Sequence, residues 1–180
     1  MAVFKKTAAL LLAAIVFGAL APRTPHSAVF SLDDAVAASS SDNQCWNYKK
    51  KEHRFTRKMN AERDDSNKQK LRLDPEISKV ARKHTREMIN EATLHHTPSS
   101  TLARRVTNWS VLGENVGVGG SVSSLHDAFM NSPSHKENIL YSTFKHVGVG
   151  TKRDAGGRLW VTVIFEASNN PGTTLSMPRC

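Results

Sequence analysis

Apolar and polar positions follow two different periods along this chain, and the change of period separates a helical part from a strand part. Over residues 47–65, Tyr48, Phe55 and Met59 recur at spacings of seven and four, which places them on one helix face. The rest of that helix is basic, with Lys49, Lys50, Lys51, Arg54, Arg57 and Lys58. Leu71 and Leu73 then lead into Asp74-Pro75-Glu76. An N-cap aspartate, a proline at the first helical position and a carboxylate in the first turn begin a helix. It is predicted to run to about residue 92, with Ile77, Val80, Ala81, His84 and Met88 turned inward. Thr97-Pro98-Ser99 breaks the chain, and a short helix is expected over 101–106. Residues 111–120 are punctuated by glycine and read as an extended segment with a loop. A helix follows over 122–131. Ser132-Pro133 ends it and starts another, in which Ser134 and Glu137 have the spacing of a capping box.

From Phe144 onward the period is two. Val147, Val149 and Thr151 form one strand, and Leu159, Val161, Val163 and Phe165 the next. Asp154-Ala155-Gly156-Gly157 supplies the hairpin turn between them. Trp109, Trp160 and Phe165 are expected in the core. Helices followed by strands, with no repeat and no dividing linker, predict one α+β domain.

The N-terminal residues add a compartment. Lys5 and Lys6 precede an apolar run over 7–21, the pattern of a secretory signal peptide. The run is shorter than the ~20 apolar residues of a membrane span, and no other segment is apolar enough to cross a bilayer. Cleavage after Ala21 or after Ala37 fits the small-residue rule. Residues 1–37 are therefore read as leader, 38–46 as a flexible lead-in, 47–168 as the domain and 169–180 as an irregular tail, in a secreted protein. Cys45 and Cys180 flank the domain, and in an oxidising compartment they suggest a disulfide joining its ends. The formal net charge is +9, and most of it belongs to the domain. For an exported chain this points to anionic envelope polymers or acidic lipids as partners. Nucleic acid is disfavoured, because no binding motif is present and aromatic residues are not interleaved with the basic ones. The basic helix carrying Lys49 and Lys58 is either a solvated face or a docking face for a polyanion.

Three polar clusters interrupt the apolar pattern. They are Leu94-His95-His96-Thr97-Pro98, Gly113-Glu114-Asn115, and Ser132-Pro133-Ser134-His135-Lys136-Glu137-Asn138. Each sets a histidine or carboxylate beside a chain reversal, where side chains can converge on a cleft. Gly117-Val118-Gly119-Gly120 lacks the Gly-Lys-Ser/Thr of a phosphate loop, and neither a His-Glu-x-x-His helix nor a Gly-x-Ser-x-Gly elbow occurs. Ser134 beside His135 is better explained as a cap than as a nucleophile. His53, His84, His126 and His146 are expected to be solvated or structural.

Taken in order, Met59-Asn60-Ala61-Glu62-Arg63, Leu71-Arg72-Leu73-Asp74, His96 and Gly113-Glu114-Asn115-Val116 form a pattern. It continues through Ala128-Phe129-Met130-Asn131-Ser132-Pro133, His135 and Asn138-Ile139-Leu140, and closes with Val147-Gly148-Val149-Gly150 and Leu159-Trp160. This resembles the CAP superfamily, the SCP-like extracellular proteins, in its bacterial secreted form. The resemblance implies an α–β–α sandwich with a small antiparallel sheet between helical layers. It also implies a surface cleft lined by two histidines and acidic residues, which fall by position on His96, His135 and Glu114, with His95 as the neighbour of His96. A second glutamate of animal and plant members falls near Ser132, where this chain has no carboxylate. Two imidazoles and a carboxylate with an open position are a ligand set that zinc accepts. Zinc or another divalent metal is accordingly the implied cofactor, on His96, His135 and Glu114; the other reading of the three is a hydrogen-bond network bracing helix ends. The function expected is a secreted binding or interaction module for an extracellular ligand, at the cell envelope or outside it. The alternative is a metal-dependent hydrolase with Glu114 as its candidate catalytic group, and the missing hydrolase motifs tilt the reading away from an enzyme.

Overall fold

Asp74 organises one layer of the molecule. Its carboxylate accepts the Ile77 amide at 3.1 Å and caps the helix that lies along one face of the sheet. The structure, a computed structural model, describes residues 3–5 and 46–168. The remainder of the expected leader, both cysteines with their proposed disulfide, and the tail beyond residue 168 lie outside the described residues.

In chain order the elements are β1 (Val3–Lys5), α1 (Lys50–Asp65), β2 (Arg72–Leu73), α2 (Pro75–Asn90), α3 (Ser99–Arg105), β3 (Val111–Gly119), α4 (Val122–Asn131), α5 (Pro133–Leu140), β4 (His146–Arg153) and β5 (Leu159–Ala167). The strands form one sheet in the order β1-β3-β5-β4-β2. Its core is antiparallel: β5 runs between β3 and β4, with Glu114 opposite Ile164 and Val149 opposite Val163. The sheet is mixed and not wholly antiparallel, because β2 pairs parallel with β4 through Arg72–His146 and Leu73–Val147. Leu71 and Leu73 therefore do more than lead into a helix. The segment Val3–Lys5, read from sequence as the start of the leader, pairs antiparallel with Val111–Gly113 at the other edge.

Alternation along the strands sends side chains to two different cores. On one face, Val111, Val147, Val149, Val163 and Phe165 pack with Phe55 and Met59 of α1, Phe129 of α4 and Ile139 of α5. On the other, Leu112 and Ile164 pack with Ile77, Val80 and Ala81 of α2 and Leu102 of α3. The result is an α–β–α sandwich. Helix α2 lies unusually low on the sheet. A β-carbon at Gly148 would fall on the backbone of Ile77 and Ser78, and one at Gly150 on that of Ala81 and Arg82. Only glycine allows so close an approach.

Trp109, Trp160 and Phe165 are buried. Helix α1 begins at Lys50, not at residue 47, because the Glu52 carboxylate accepts the Lys49 amide at 2.9 Å and fixes the first turn there. Helix α3 starts at Ser99, directly after Pro98 and ahead of the expected 101. Ser134 is not the cap of α5: Pro133 takes the first helical position, which makes Ser132 the capping residue. Among the described residues no helix is long and apolar enough to cross a membrane.

Candidate functional site

The loop that leaves α2 carries the first histidines. Helix α2 closes with the Thr93 amide on the Met88 carbonyl at 3.1 Å and the Ala92 amide on that of Ile89 at 3.2 Å. This is the double hydrogen bond of a Schellman end, with Ala92 at φ 50° in the left-handed position where glycine is usual. The chain then turns back over the sheet. His95 is drawn outward, its Nε2 lying 2.8 Å from Glu91 one helical turn earlier. His96 turns the other way, with Nδ1 2.9 Å from Glu114 Oε2 on β3.

Glu114 is only 1% exposed, yet its carboxylate is well supplied with donors. The Thr97 amide donates to Oε2 at 2.9 Å and the Thr97 hydroxyl to Oε1 at 2.7 Å. Together with His96 this makes three hydrogen bonds on one buried carboxylate. Glu114 faces Nδ1 of His96, so the Nε2 edge of the ring points away from the carboxylate. The His96 side chain is 46% exposed, so that nitrogen is open to solvent and to ligands.

Asn115 points through the opposite face of β3 and reaches α5. Its amide donates to the His135 carbonyl at 3.0 Å, and Asn138 donates to Asn115 Oδ1 at 2.8 Å and to the Glu114 carbonyl at 3.1 Å. These two asparagines tie the first turns of α5 to the strand that carries Glu114. His135 sits half-buried in that turn, its ring 4.9 Å from that of Phe129. Burial lowers its pKa, and the charge of nearby His96 lowers it further, so the ring is neutral at ordinary pH.

The structure thus joins His96 directly to Glu114 and brings His135 within electrostatic reach of His96. It does not gather all three as ligands: among the described residues no group of three or more histidines, cysteines or carboxylates is placed to hold one metal ion. Sequence reasoning passed over Thr97 and the supporting role of the Asn115–Asn138 pair. The one signal available was the spacing of three between His135 and Asn138, which aligns them on one side of a helix.

The family described as the cysteine-rich secretory protein family, CAP, matches residues 56–165. The chain belongs to the CAP family. Its CAP domain is 30% identical over 108 residues to the uncharacterised protein YkwD of Bacillus subtilis, which covers 56% of this chain and 41% of that protein. The chain therefore spans less than half the length of this relative. Among solved structures, an outer surface protein of Borrelia burgdorferi superposes with a TM-score of 0.63 at 19% identity, over 69% of this chain and 97% of that one. An extracellular SCP-domain protein of Bacillus anthracis gives a TM-score of 0.59 at 22% identity, over 66% of this chain and 40% of that one. These likenesses carry the CAP fold. The remaining histidines of this CAP domain divide by burial: His84, His126 and His146 are buried and His53 is exposed.

Proposed function

We propose that this CAP domain is a secreted binding module that engages its ligand at the cleft beside His96, at the cell envelope or outside it. The observation that carries the reading is the chain of contacts Thr97–Glu114–His96. It fixes one imidazole by a buried carboxylate while leaving the opposite ring nitrogen exposed, which is how proteins orient a histidine for a ligand or metal. His96 and His135 are the imidazoles that would hold a divalent metal such as zinc, and the pKa of His135 is lowered in the direction that metal binding requires. Glu114 fits better behind His96 than on the metal, because both its oxygens already accept hydrogen bonds. Bound there, a metal would supply a Lewis-acid site with positions left for an anionic or carbonyl ligand. The same arrangement speaks against the hydrolase reading, since a general base needs a carboxylate oxygen free to take a proton from water.

Calorimetric titration of the protein with zinc tests the reading. His96→Ala and His135→Ala should each remove uptake, and Glu114→Gln should weaken it by about 10- to 100-fold, as the loss of an outer partner does. Zinc uptake by the His96→Ala/His135→Ala double variant equal to that of the parent would sink the assignment.

A further inference from the structure

The outer face of α2 is chemically uniform. Lys79, Lys83 and Arg86 follow one another at spacings of four and three and are all exposed. Along the helix axis they span about 10 Å. None of the three has an ion-pair partner among the described residues. The carboxylates of α2 are drawn off elsewhere: Glu76 accepts from Thr107 at 2.9 Å, and Glu87 pairs with Arg105 at 2.8 Å.

Two other elements add cations to this face. Lys49, at the start of α1, reaches across to donate to the Thr151 carbonyl of β4 at 3.0 Å, and Lys152 follows on the same strand. Burial lowers the pKa of Lys49; Glu52 opposes that, while Arg82, Arg86 and Lys152 lie near enough to add to it. Arg82 is the fixed joint between the helices. It holds the buried Glu52 at 2.7 and 2.5 Å and lies 4.2 Å over the Trp46 ring. Its charge is therefore neutralised, and the surrounding lysines and Arg86 are not.

We propose that this face of α2, together with Lys49 and Lys152, docks a linear polyanion with a phosphodiester backbone, independently of the His96 cleft. The cations are strung along an exposed surface and do not converge on a pocket, so a single small anion would gain little. A chain bearing many phosphates gains each contact at high effective concentration. Lysine ammonium groups suit phosphate as compact point charges. A lipid surface fits less well, because among the described residues the exposed large apolar side chain is Leu94, past the end of α2. The basic stripe of α1 is the weaker candidate: its charges come from one element, and Lys58 already faces Asp127 at 3.8 Å.

The test uses the full chain and a fluorescently labelled poly(glycerol phosphate), read by anisotropy. Binding at about 50 mM salt should weaken roughly 30- to 100-fold by about 200 mM, the dependence expected for some four neutralised phosphates. The charge reversal Lys79→Glu/Lys83→Glu/Arg86→Glu should weaken binding about tenfold or more. Lys51→Glu/Arg54→Glu/Arg57→Glu removes the same net charge from α1 and should cost less than about threefold. His96→Ala should bind as the parent does. Equal losses in the two triple variants would show attraction by net charge alone and overturn the proposal. So would absence of binding at the lower salt, or tighter binding to phosphatidylglycerol vesicles than to the polymer. Circular dichroism checks folding, and if the reversal unfolds the domain, Lys79→Gln/Lys83→Gln/Arg86→Gln decides by the same comparison with α1.

Discussion

Two histidine–glutamate pairs stand on the α2 face of the sheet. Glu114 and Glu166 both point to that side, since Glu114 lies opposite Ile164, two residues from Glu166 on β5. The contact distances are alike, 2.9 Å for His96–Glu114 and 2.7 Å for His146–Glu166. Their surroundings are not. Glu114 receives two further donors from Thr97, and its histidine opens to solvent. Glu166 and His146 are both buried, and Glu166 Oε1 has no hydrogen-bond partner. The same two residue types make a presented imidazole in one place and an internal brace in the other. Donor supply and exposure separate the two roles; the pair itself does not.

The comparison can be broken most sharply at the buried pair. His146→Ala leaves Glu166 with neither oxygen bonded, and should lower unfolding stability by about 3–5 kcal/mol in urea titration. His146→Leu/Glu166→Leu, which removes both buried polar partners together, should recover most of that loss. At the open pair, Glu114→Ala strands the buried Thr97 amide and should cost about 1–3 kcal/mol by the same measurement. A third histidine sharpens the contrast through pH. His126 is buried on α4 with neither ring nitrogen bonded, Asp127 beside it at 3.5 Å and Lys58 and Glu62 facing it from α1. Burial lowers its pKa, and Lys58 adds to the effect. The unfolded chain then binds the proton more readily, so stability is full above about pH 6.5 and falls as pH drops toward the depressed value. Urea midpoints should be lower at mildly acidic than at neutral pH, and His126→Leu should flatten that decline. The smallest change is expected from His96→Ala, below about 1 kcal/mol, because its pair with Glu114 is half open to water. A loss there as large as that of His146→Ala would erase the distinction between the two pairs.

Much of the fold was legible because its signals are local. Asp74-Pro75 announces α2 through capping chemistry that needs no other part of the chain. The hairpin of β4 and β5 is written in a period of two around a turn. Strand β2 was not legible: it has two residues, and its partners His146 and Val147 lie far along the sequence. The misplaced cap of α5 had a readable cause, since Pro133 at the first helical position already implied Ser132.

The site was legible in its residue types and less so in its wiring. Adjacent histidines cannot be told apart by pattern alone. Glu91, four residues before His95, captures that ring and leaves His96 to the sheet. The bonds from Thr97 to Glu114 cross seventeen positions and depend on how the loop returns over β3. The His146–Glu166 pair depends on the register of the hairpin, which the turn alone does not set.

The low seat of α2 on β4 ties the cleft to a distant pair of residues. The loop bearing His96 hangs from the far end of a rigid rod whose height is set at Gly148 and Gly150. A single methyl group at either position would act as a shim beneath that rod. Its lift would be carried along the helix to the loop, opening the gap between imidazole and carboxylate without altering any residue that touches either.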